Sequence, residues 1–217
     1  MPSRIHPEYI SISELPDHFG QSLGNTAPAT ISAYGNIDLL HNRKLALFCS
    51  QHCPPSLLLP WYDIIKQLRE MDITIAGGFH SLMEQEALTA LLAGTAPIII
   101  CPARSIGNMY LPLEYEAPMT AGRLLILSFF PDEVKRPSRQ TALERNTLLA
   151  ALANEVFVAY AHAGGQIEQI CYQVIKKLGQ KLYTLPSNHN QLLIHQGAKS
   201  IDQFSQNVAG YRQGIIH

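Results

Sequence analysis

Short apolar runs that alternate with longer helical patterns constrain the fold of this chain more than any other feature. The runs are four or five residues long and occupy residues 45–49, 73–76, 98–101, 124–128, 156–160 and 181–185. The run at 98–101 is apolar throughout, as expected of a strand covered by helices on both faces. Between the runs, apolar residues recur at helical spacing. The alternation predicts an α/β fold: a doubly wound, mostly parallel, Rossmann-like sheet with helices on both faces.

Two of the helical patterns carry their own boundary signals. Ser81 precedes an apolar pattern and Glu84 follows three residues later, which is the spacing of a capping box. Gly179 follows the pattern at 166–178, as expected of a glycine that ends a helix.

Length and composition favour a single globular domain. The chain has 217 residues, of which 47% are hydrophobic and 15% charged, so it can form a substantial core and does not have the composition of a disordered protein. Residues 1–40 hold seven prolines and glycines and are expected to form an extended or loop-rich N-terminal arm. The expected division is this arm, a Rossmann domain at 41–202 and a C-terminal tail at 203–217.

Net charge and cysteine content limit the classes of function. The formal net charge of -1 excludes a globally basic nucleic-acid-binding protein, so affinity for polyanions must come from local clusters. The 4 cysteines form no dense framework of the kind that disulfides need, which favours a reducing cytoplasm. Residues 1–10 do not resemble a secretory signal, and polar residues and a proline interrupt the most apolar stretch, 87–103. We therefore expect a cytoplasmic protein without a membrane span.

The loops after the predicted strands are the first candidates for a binding site, because ligands of such sheets bind at the carboxyl ends of the strands. The residues with suitable chemistry are Ser50, Gln51, Gly77, Gly78, Gly164, Gly165 and Gln166. Paired glycines before a helix expose backbone amides that suit a phosphate, although tight turns alone would also explain them. Neither pair completes the G-x-G-x-x-G pattern, so no dinucleotide cofactor is expected.

A basic cluster between two predicted elements is a second candidate. It contains Arg136, Arg139, Arg145 and Asn146, whose side chains suit contacts to phosphates and bases. Acidic neighbours reduce the local positive charge, so a solvated loop and helix start is the alternative interpretation.

Metal binding and covalent catalysis have weaker support. Cys49, His52 and Cys53 lie close in sequence, but a structural zinc site needs a second ligand pair, and the other cysteines lie in apolar segments. No G-x-S-x-G or cysteine-protease signature is present. No metal ligand or catalytic residue is predicted.

The order of these segments resembles the DprA/Smf family of DNA-processing proteins. This family has an extended Rossmann fold and belongs to a wider nucleotide-sensing group that includes the LOG-type phosphoribohydrolases. Residues 144–152 are similar to the family's R-N-R-x-x-A-x-L helix, and residues 190–198, beginning at Asn190, to its N-x-L-I-x-x-G-A segment. Shorter similarities follow in the family's order at residues 34–40, 73–78, 127–131, 164–167 and 185–187. The resemblance spans about residues 33–202 and implies the core domain alone.

The sequence departs from the family at positions expected to bind phosphate. The family's G-S-R turn is Cys49-Ser50-Gln51 here, and its G-I-D-x-x-A segment falls on residues around 80–84. The second arginine of R-N-R is Thr147. Loss of an arginine and a glycine removes a bidentate donor and close backbone approach, which would weaken or redirect binding.

The resemblance implies a binding protein that holds single-stranded DNA or a nucleotide at the loop edge of the sheet, with a role in DNA processing, uptake or recombination. By resemblance it also implies a homodimer and a RecA-type recombinase as partner. Two alternatives stay open. One is a scaffold of the same fold that has lost its ligand, and the other is a LOG-like nucleotide hydrolase, which would need P-G-G-x-G-T-x-x-E where residues 164–168 lack the later Gly-Thr.

Overall fold

The computed structural model describes residues 4–23, 27–28 and 31–204. The strands are β1 (Glu8–Ile10), β2 (Ile31–Gly35), β3 (Lys44–Phe48), β4 (Thr74–Gly77), β5 (Ile98–Ile100), β6 (Leu124–Ser128), β7 (Glu155–Val158), β8 (Lys181–Thr184) and β9 (Lys199–Ser200). The α-helices are α1 (Asp17–Leu23), α2 (Leu58–Leu68), α3 (Leu82–Leu92), α4 (Glu116–Thr120), α5 (Arg139–Leu152), α6 (Gln166–Gln173) and α7 (Gln191–His195).

The nine strands in the described part of the chain form one mostly parallel sheet in the order β1-β2-β6-β5-β4-β3-β7-β8-β9. Every neighbouring pair from β6 to β9 in that order is parallel, and only the pairs that involve β2 are antiparallel. The predicted fold class is confirmed. The six predicted strands are β3 to β8, each within two residues of its expected bounds.

Two features at the ends of the chain differ from the expectation. Residues 8–10 and 31–35 fall within the expected loop-rich arm, but they form β1 and β2, and β2 pairs with β6 from Ser32 to Gly35. Prolines and glycines fall before, between and at the end of these strands, so they hid two short strands from the sequence pattern. The division at 40 and 202 stays a prediction, and residues 1–3, 24–26 and 29–30 of the arm and 205–217 of the tail are outside the described residues.

Helices cover both faces of the sheet because its central strands are buried on both sides. On one face, Ala46, Phe48 and Ile99 pack in a core cluster with α5 and α6, while on the other Leu45 and Ile98 pack with α2 and α3. Side chains of a strand alternate between faces, so each strand contributes to both clusters. The predicted capping box of α3 is present, and Gly179 has the left-handed φ of 63° that ends the helical segment after α6. None of the helices in the described part of the chain is long and apolar enough to cross a bilayer.

The chain reverses its direction across the sheet at β3. From β3 it proceeds through β4 and β5 to β6, and then α5 carries it back so that β7 pairs with the other side of β3. At such a switch point the loops after the two strands diverge and leave a crevice at their carboxyl ends.

At the amino edge of the sheet, in contrast, two cationic side chains donate hydrogen bonds to groups of the protein itself. The Lys44 ammonium donates to the carbonyls of Leu40 and Asn42 at 2.7 and 2.6 Å. Burial lowers the pKa of Lys44 to about 8. Arg43 donates twice to the Glu155 carboxylate, at 2.9 and 2.7 Å. These contacts are explained by folding alone.

Candidate functional site

A cleft of about 830 Å³ lies at the switch point, over the carboxyl ends of β3, β4, β5 and β7. Its volume is in the range of small-molecule and cofactor sites. The predicted site residues that line it are Ser50, Gln51, Gly78, Arg139, Arg145, Asn146, Gly165 and Gln166. These residues come from three loops and from α5, and some of them are more than ninety positions apart in sequence. The fold therefore brings them together in one place.

Arg145 is a buried cation in the wall of this cleft. Only 4% of its surface is exposed, and its Nη1 donates to the Cys101 carbonyl at 2.7 Å. Its Nε is buried without a hydrogen-bond partner, and no ion pair joins it to a carboxylate of the described residues. Burial lowers the pKa of Arg145 from its usual value, and the nearby Glu84 carboxylate opposes that shift. A guanidinium nevertheless keeps its proton in proteins, so the cleft has a fixed positive charge with an unused donor.

Asn146, the next residue on α5, is also buried and lines the cleft. Within the described residues its side-chain amide makes no hydrogen bond, although buried polar groups normally do. Both residues come from the segment that resembles the R-N-R helix. An amide with no hydrogen-bond partner in the described protein, beside a buried guanidinium, is the arrangement expected where a ligand completes the bonding.

The glycines after β4 make room for side chains of the protein itself. A Cβ on Gly77 would lie 2.7 Å from the Phe79 ring, and one on Gly78 would lie 1.4 Å from Nη1 of Arg145. Phe79 has a φ of 49°, which is unusual for a residue with a side chain. The turn is therefore shaped by internal packing.

The Glu84 carboxylate lies beside this turn and is nearly buried. Its Oε1 accepts from the Cys49 amide at 2.8 Å, and its Oε2 accepts from the His80 and Ser81 amides at 2.8 and 3.2 Å. The capping box predicted the bond from the Ser81 amide to Glu84. It did not predict the bond from the Cys49 amide at the end of β3.

The glycines after β7 border the cleft on the other side. Gly164 has a φ of 73°, and Gly165 is the N-cap of α6, where no side chain caps the helix. Two side-chain bonds connect this turn to its surroundings: the His162 amide donates to Ser50 Oγ at 3.0 Å, and Gln166 Nε2 donates to the Arg139 carbonyl at 3.0 Å. The first joins the loops after β3 and β7, and the second joins the starts of α5 and α6 across the cleft.

The remaining predicted residues lie outside the lining of the cleft: Gly77, Arg136, Gly164 and Asn190. Asn190 is buried, and its Nδ2 donates to the carbonyls of Ala159 and Leu185 at 2.8 and 3.1 Å, so it joins the loops after β7 and β8. Arg136 is exposed on the loop before α5.

Several lining residues were not predicted: Glu84, Arg104 and the histidines His52, His80 and His162. Arg104 follows β5 at the same sheet edge, and that position alone could have identified it. Glu84 was recognised only as a capping residue. Its contact with Cys49 depends on the packing of α3 against the end of β3, which no local pattern reveals.

Cys49 and Cys53 are free cysteines near the cleft, and their thiols donate to the carbonyls of Ser50 and Pro54 at 3.5 and 3.8 Å. The interaction between the two thiols raises the pKa of Cys49, with burial adding to the effect, and lowers the pKa of Cys53. Among the described residues, no group of three or more His, Cys, Asp or Glu side chains is placed to hold a metal ion.

The fold and the cleft together define a Rossmann-like α/β protein with a crevice at its topological switch point. The family model of DNA recombination-mediator protein A matches residues 10–212, and the chain therefore belongs to that family. No curated protein matches the sequence.

Two solved structures share the fold. DNA processing protein A (DprA) from Streptococcus pneumoniae matches with a TM-score of 0.73 and 20% identity, over 89% of this chain and 70% of that chain. DNA processing protein A from Helicobacter pylori, described as having a unique single-stranded DNA binding mode, matches with a TM-score of 0.76 and 20% identity, over 97% of this chain and 99% of that chain. At this identity the likeness extends to the fold alone.

Proposed function

We propose that this protein binds single-stranded DNA, without covalent chemistry, in the cleft at the carboxyl edge of its sheet. Membership of the family of DNA recombination-mediator protein A supports a role in DNA processing or recombination. The Helicobacter pylori protein, which shares the fold, is described as binding single-stranded DNA. What carries the proposal is Arg145, a buried guanidinium in the cleft whose Nε has no partner.

Three arginines supply the positive charge for phosphates in this proposal. Arg145 lies in the wall, Arg104 is half-buried, and Arg139 is exposed at the start of α5. Charge-assisted bonds from guanidinium groups to phosphate are among the strongest that side chains form. The N-terminus of α6 adds amides and a helix dipole on the same side, and the Asn146 amide offers a donor and an acceptor to a base edge.

The salt dependence of binding tests this assignment. We expect the double variant Arg104→Ala, Arg139→Ala to weaken single-strand binding more at low than at high salt. Each lost phosphate contact should flatten the slope of log K against log salt by about 0.7, or about 1.4 for both. Fluorescence anisotropy of a labelled oligonucleotide at several salt concentrations measures the slope.

Lys66→Ala is the matched control, since Lys66 is an exposed cation near the end of α2, towards the amino edge of the sheet. It should leave the slope unchanged. A wild-type dissociation constant above about 100 μM at physiological salt would be no better than non-specific binding and would reject the proposal.

A mononucleotide is the second ligand that the cleft volume accommodates. Competition distinguishes the two: a mononucleotide that displaces the oligonucleotide at similar concentrations would identify a nucleotide site. The LOG-like hydrolase alternative has less support because Glu168, the only carboxylate of the 164–168 turn, accepts from the Gly164 amide at 2.7 Å. A ligand-free scaffold would show neither form of binding.

Self-association, a RecA-type recombinase as partner and a cytoplasmic location complete the proposal. The first two rest on the resemblance to the family, and the third on the four unpaired cysteines. Light scattering on the purified protein tests the homodimer. Co-sedimentation with recombinase filaments, with and without single-stranded DNA, tests the partner.

A further inference from the structure

Glu84 is a carboxylate held as if it were a bound anion. Three backbone amides converge on it, from Cys49 at the end of β3 and from His80 and Ser81 after β4, at 2.8, 2.8 and 3.2 Å. Only 5% of its surface is exposed, and it lines the cleft. Two of the amides lie at the N-terminus of α3, an 11-residue helix whose dipole also favours negative charge.

The same three donors would suit a phosphate. Convergent amides at a helix N-terminus form the common backbone cradle for phosphate groups, and this cradle lies at the two turns where the sequence predicted one. Here the chain supplies the anion itself. The donors are consumed, and the fixed negative charge repels any phosphate that approaches this side of the cleft.

Donors elsewhere in the cleft are less fully used. Arg145 packs against Gly78 beside the cradle and has an unpaired Nε; burial lowers the pKa of its guanidinium, and the nearby Glu84 carboxylate opposes that shift. After β7, no side chain caps the N-terminus of α6 at Gly165, although the Glu168 carboxylate accepts from the preceding Gly164 amide at 2.7 Å. The cleft is thus divided between a half filled by an internal anion and a half that can accept an external one.

We propose that Glu84 is an internal substitute for phosphate that closes the cradle after β3 and β4, and so restricts the phosphates of a ligand to the rest of the cleft, where Arg104, Arg139 and the N-terminus of α6 lie. The filling of the cradle by Glu84 does not depend on which ligand binds. The placement of DNA phosphates does, and it rests on the proposed function. Glu84 is in this sense a specificity-determining residue. Its removal should open a second phosphate subsite.

The test uses the full chain with inorganic phosphate as the probe. Glu84→Ala removes the carboxylate and leaves three amides facing an opening that phosphate can enter. We expect its phosphate affinity, measured by titration calorimetry, to exceed that of the wild type by about tenfold or more, since charge-assisted bonds are gained and a like charge is lost. Glu86→Ala is the matched control, because Glu86 is an exposed carboxylate on the same helix. It should bind phosphate as the wild type does.

A melting temperature that rises with phosphate in Glu84→Ala, and not in Glu86→Ala, would support the proposal independently. Folding of Glu84→Ala only in the presence of phosphate would also support it. Should that variant not fold at all, Glu84→Gln keeps the shape and removes the charge, and a phosphate affinity above that of the wild type is expected for it too. Affinity equal to the wild type in every folded Glu84 variant would overturn the proposal.

Oligonucleotide titrations of the same variants separate this inference from the proposed function. We expect Glu84→Ala to steepen the salt dependence of DNA binding by about 0.7, the contribution of one added phosphate contact. A gain in phosphate affinity without DNA binding by any variant would reject the proposed function and retain the filled cradle. DNA binding by the wild type without a gain in phosphate affinity in Glu84→Ala would reject the filled cradle and retain the proposed function.

Discussion

Two glycine pairs follow strands at the same edge of the sheet and precede helices, yet their surroundings differ. Cβ atoms on Gly77 and Gly78 would collide with Phe79 and Arg145. A Cβ on Gly164 would meet nothing within 4 Å, and one on Gly165 would approach only the residue His162, at 2.9 Å from its carbonyl oxygen. The first pair is packed against side chains. In the second pair, Gly164 faces open space and Gly165 lies against a backbone carbonyl.

The difference shows that one sequence signal can report two physical needs. A glycine pair before a helix indicates either that the backbone must leave room for a side chain or that it must adopt a positive φ and expose its amides. After β4 the room is taken by an internal cation, and an internal carboxylate binds amides from two turns. After β7 the Glu168 carboxylate binds only the Gly164 amide, and no side chain caps the helix start at Gly165. Of the two turns, the one after β7 is the better candidate for contact with an external ligand.

Gly78→Ala should have the largest effect of the substitutions that test this contrast. The new methyl group would lie 1.4 Å from Arg145 Nη1, so the guanidinium must move and lose its bond to Cys101. Displacing a buried, hydrogen-bonded charge should lower the free energy of unfolding by about 2–4 kcal/mol. Urea denaturation measures the change.

A double-mutant cycle isolates the cause of that loss. If the collision with Arg145 is responsible, Gly78→Ala in an Arg145→Ala background should cost less than about 1 kcal/mol, because neighbouring residues couple strongly. An equal loss in both backgrounds would assign the effect of Gly78→Ala to the backbone and remove the contrast between the two turns.

Gly165→Val tests the other turn and should act on binding. Gly165 has a φ of −86°, so its backbone suits any residue, and the constraint is steric, from the His162 carbonyl and from a ligand at the helix start. Filling that space should weaken oligonucleotide binding by about tenfold, the equivalent of one charge-assisted bond. Anisotropy titrations measure the effect, and circular dichroism verifies the fold. Unchanged affinity in a folded variant would remove the α6 N-terminus from the site.

The sequence predicted the central sheet well because each central strand is buried on both faces and therefore continuously apolar. The run Ile98–Ile100 shows this directly: β-branched residues at every position, all fully or nearly fully buried. The edge strand β1 was missed because an edge strand needs no such run, and Glu8 and Tyr9 are exposed. β2 lies inside the sheet between β1 and β6, but its five residues include Ser32 and Gly35 and form no continuous apolar run. Short helices such as α4, only five residues long, gave too few turns for a period to be recognised.

Residues of the candidate site could be predicted where their position after a strand places them in the cleft. They could not be predicted where a side chain from a distant part of the sequence reaches the cleft. Ser50 and Gly165 meet in the cleft because both follow strands at the carboxyl edge. The carboxylate in the amide cradle was not predictable, since the contact between Glu84 and Cys49 joins residues 35 positions apart through tertiary packing. Asn190, chosen by resemblance, lies outside the lining of the cleft and joins two loops, and its role in binding stays a prediction.

Gly164→Ala should have the smallest effect and completes the contrast, because it separates backbone strain from steric exclusion. Gly164 has a φ of 73°, and its Cβ position is open, so alanine meets no neighbour but must adopt a left-handed conformation. We expect a loss of about 1 kcal/mol in the free energy of unfolding and no change in DNA affinity at protein concentrations where the variant is folded.

Gly164→Asn should lose less, since asparagine tolerates this conformation better than other residues with side chains. Urea denaturation of the two variants gives the order, and equal losses would show that the left-handed φ is not what glycine provides here. A loss of DNA affinity in Gly164→Ala would instead place this glycine against the ligand and extend the open half of the cleft to the tip of the turn.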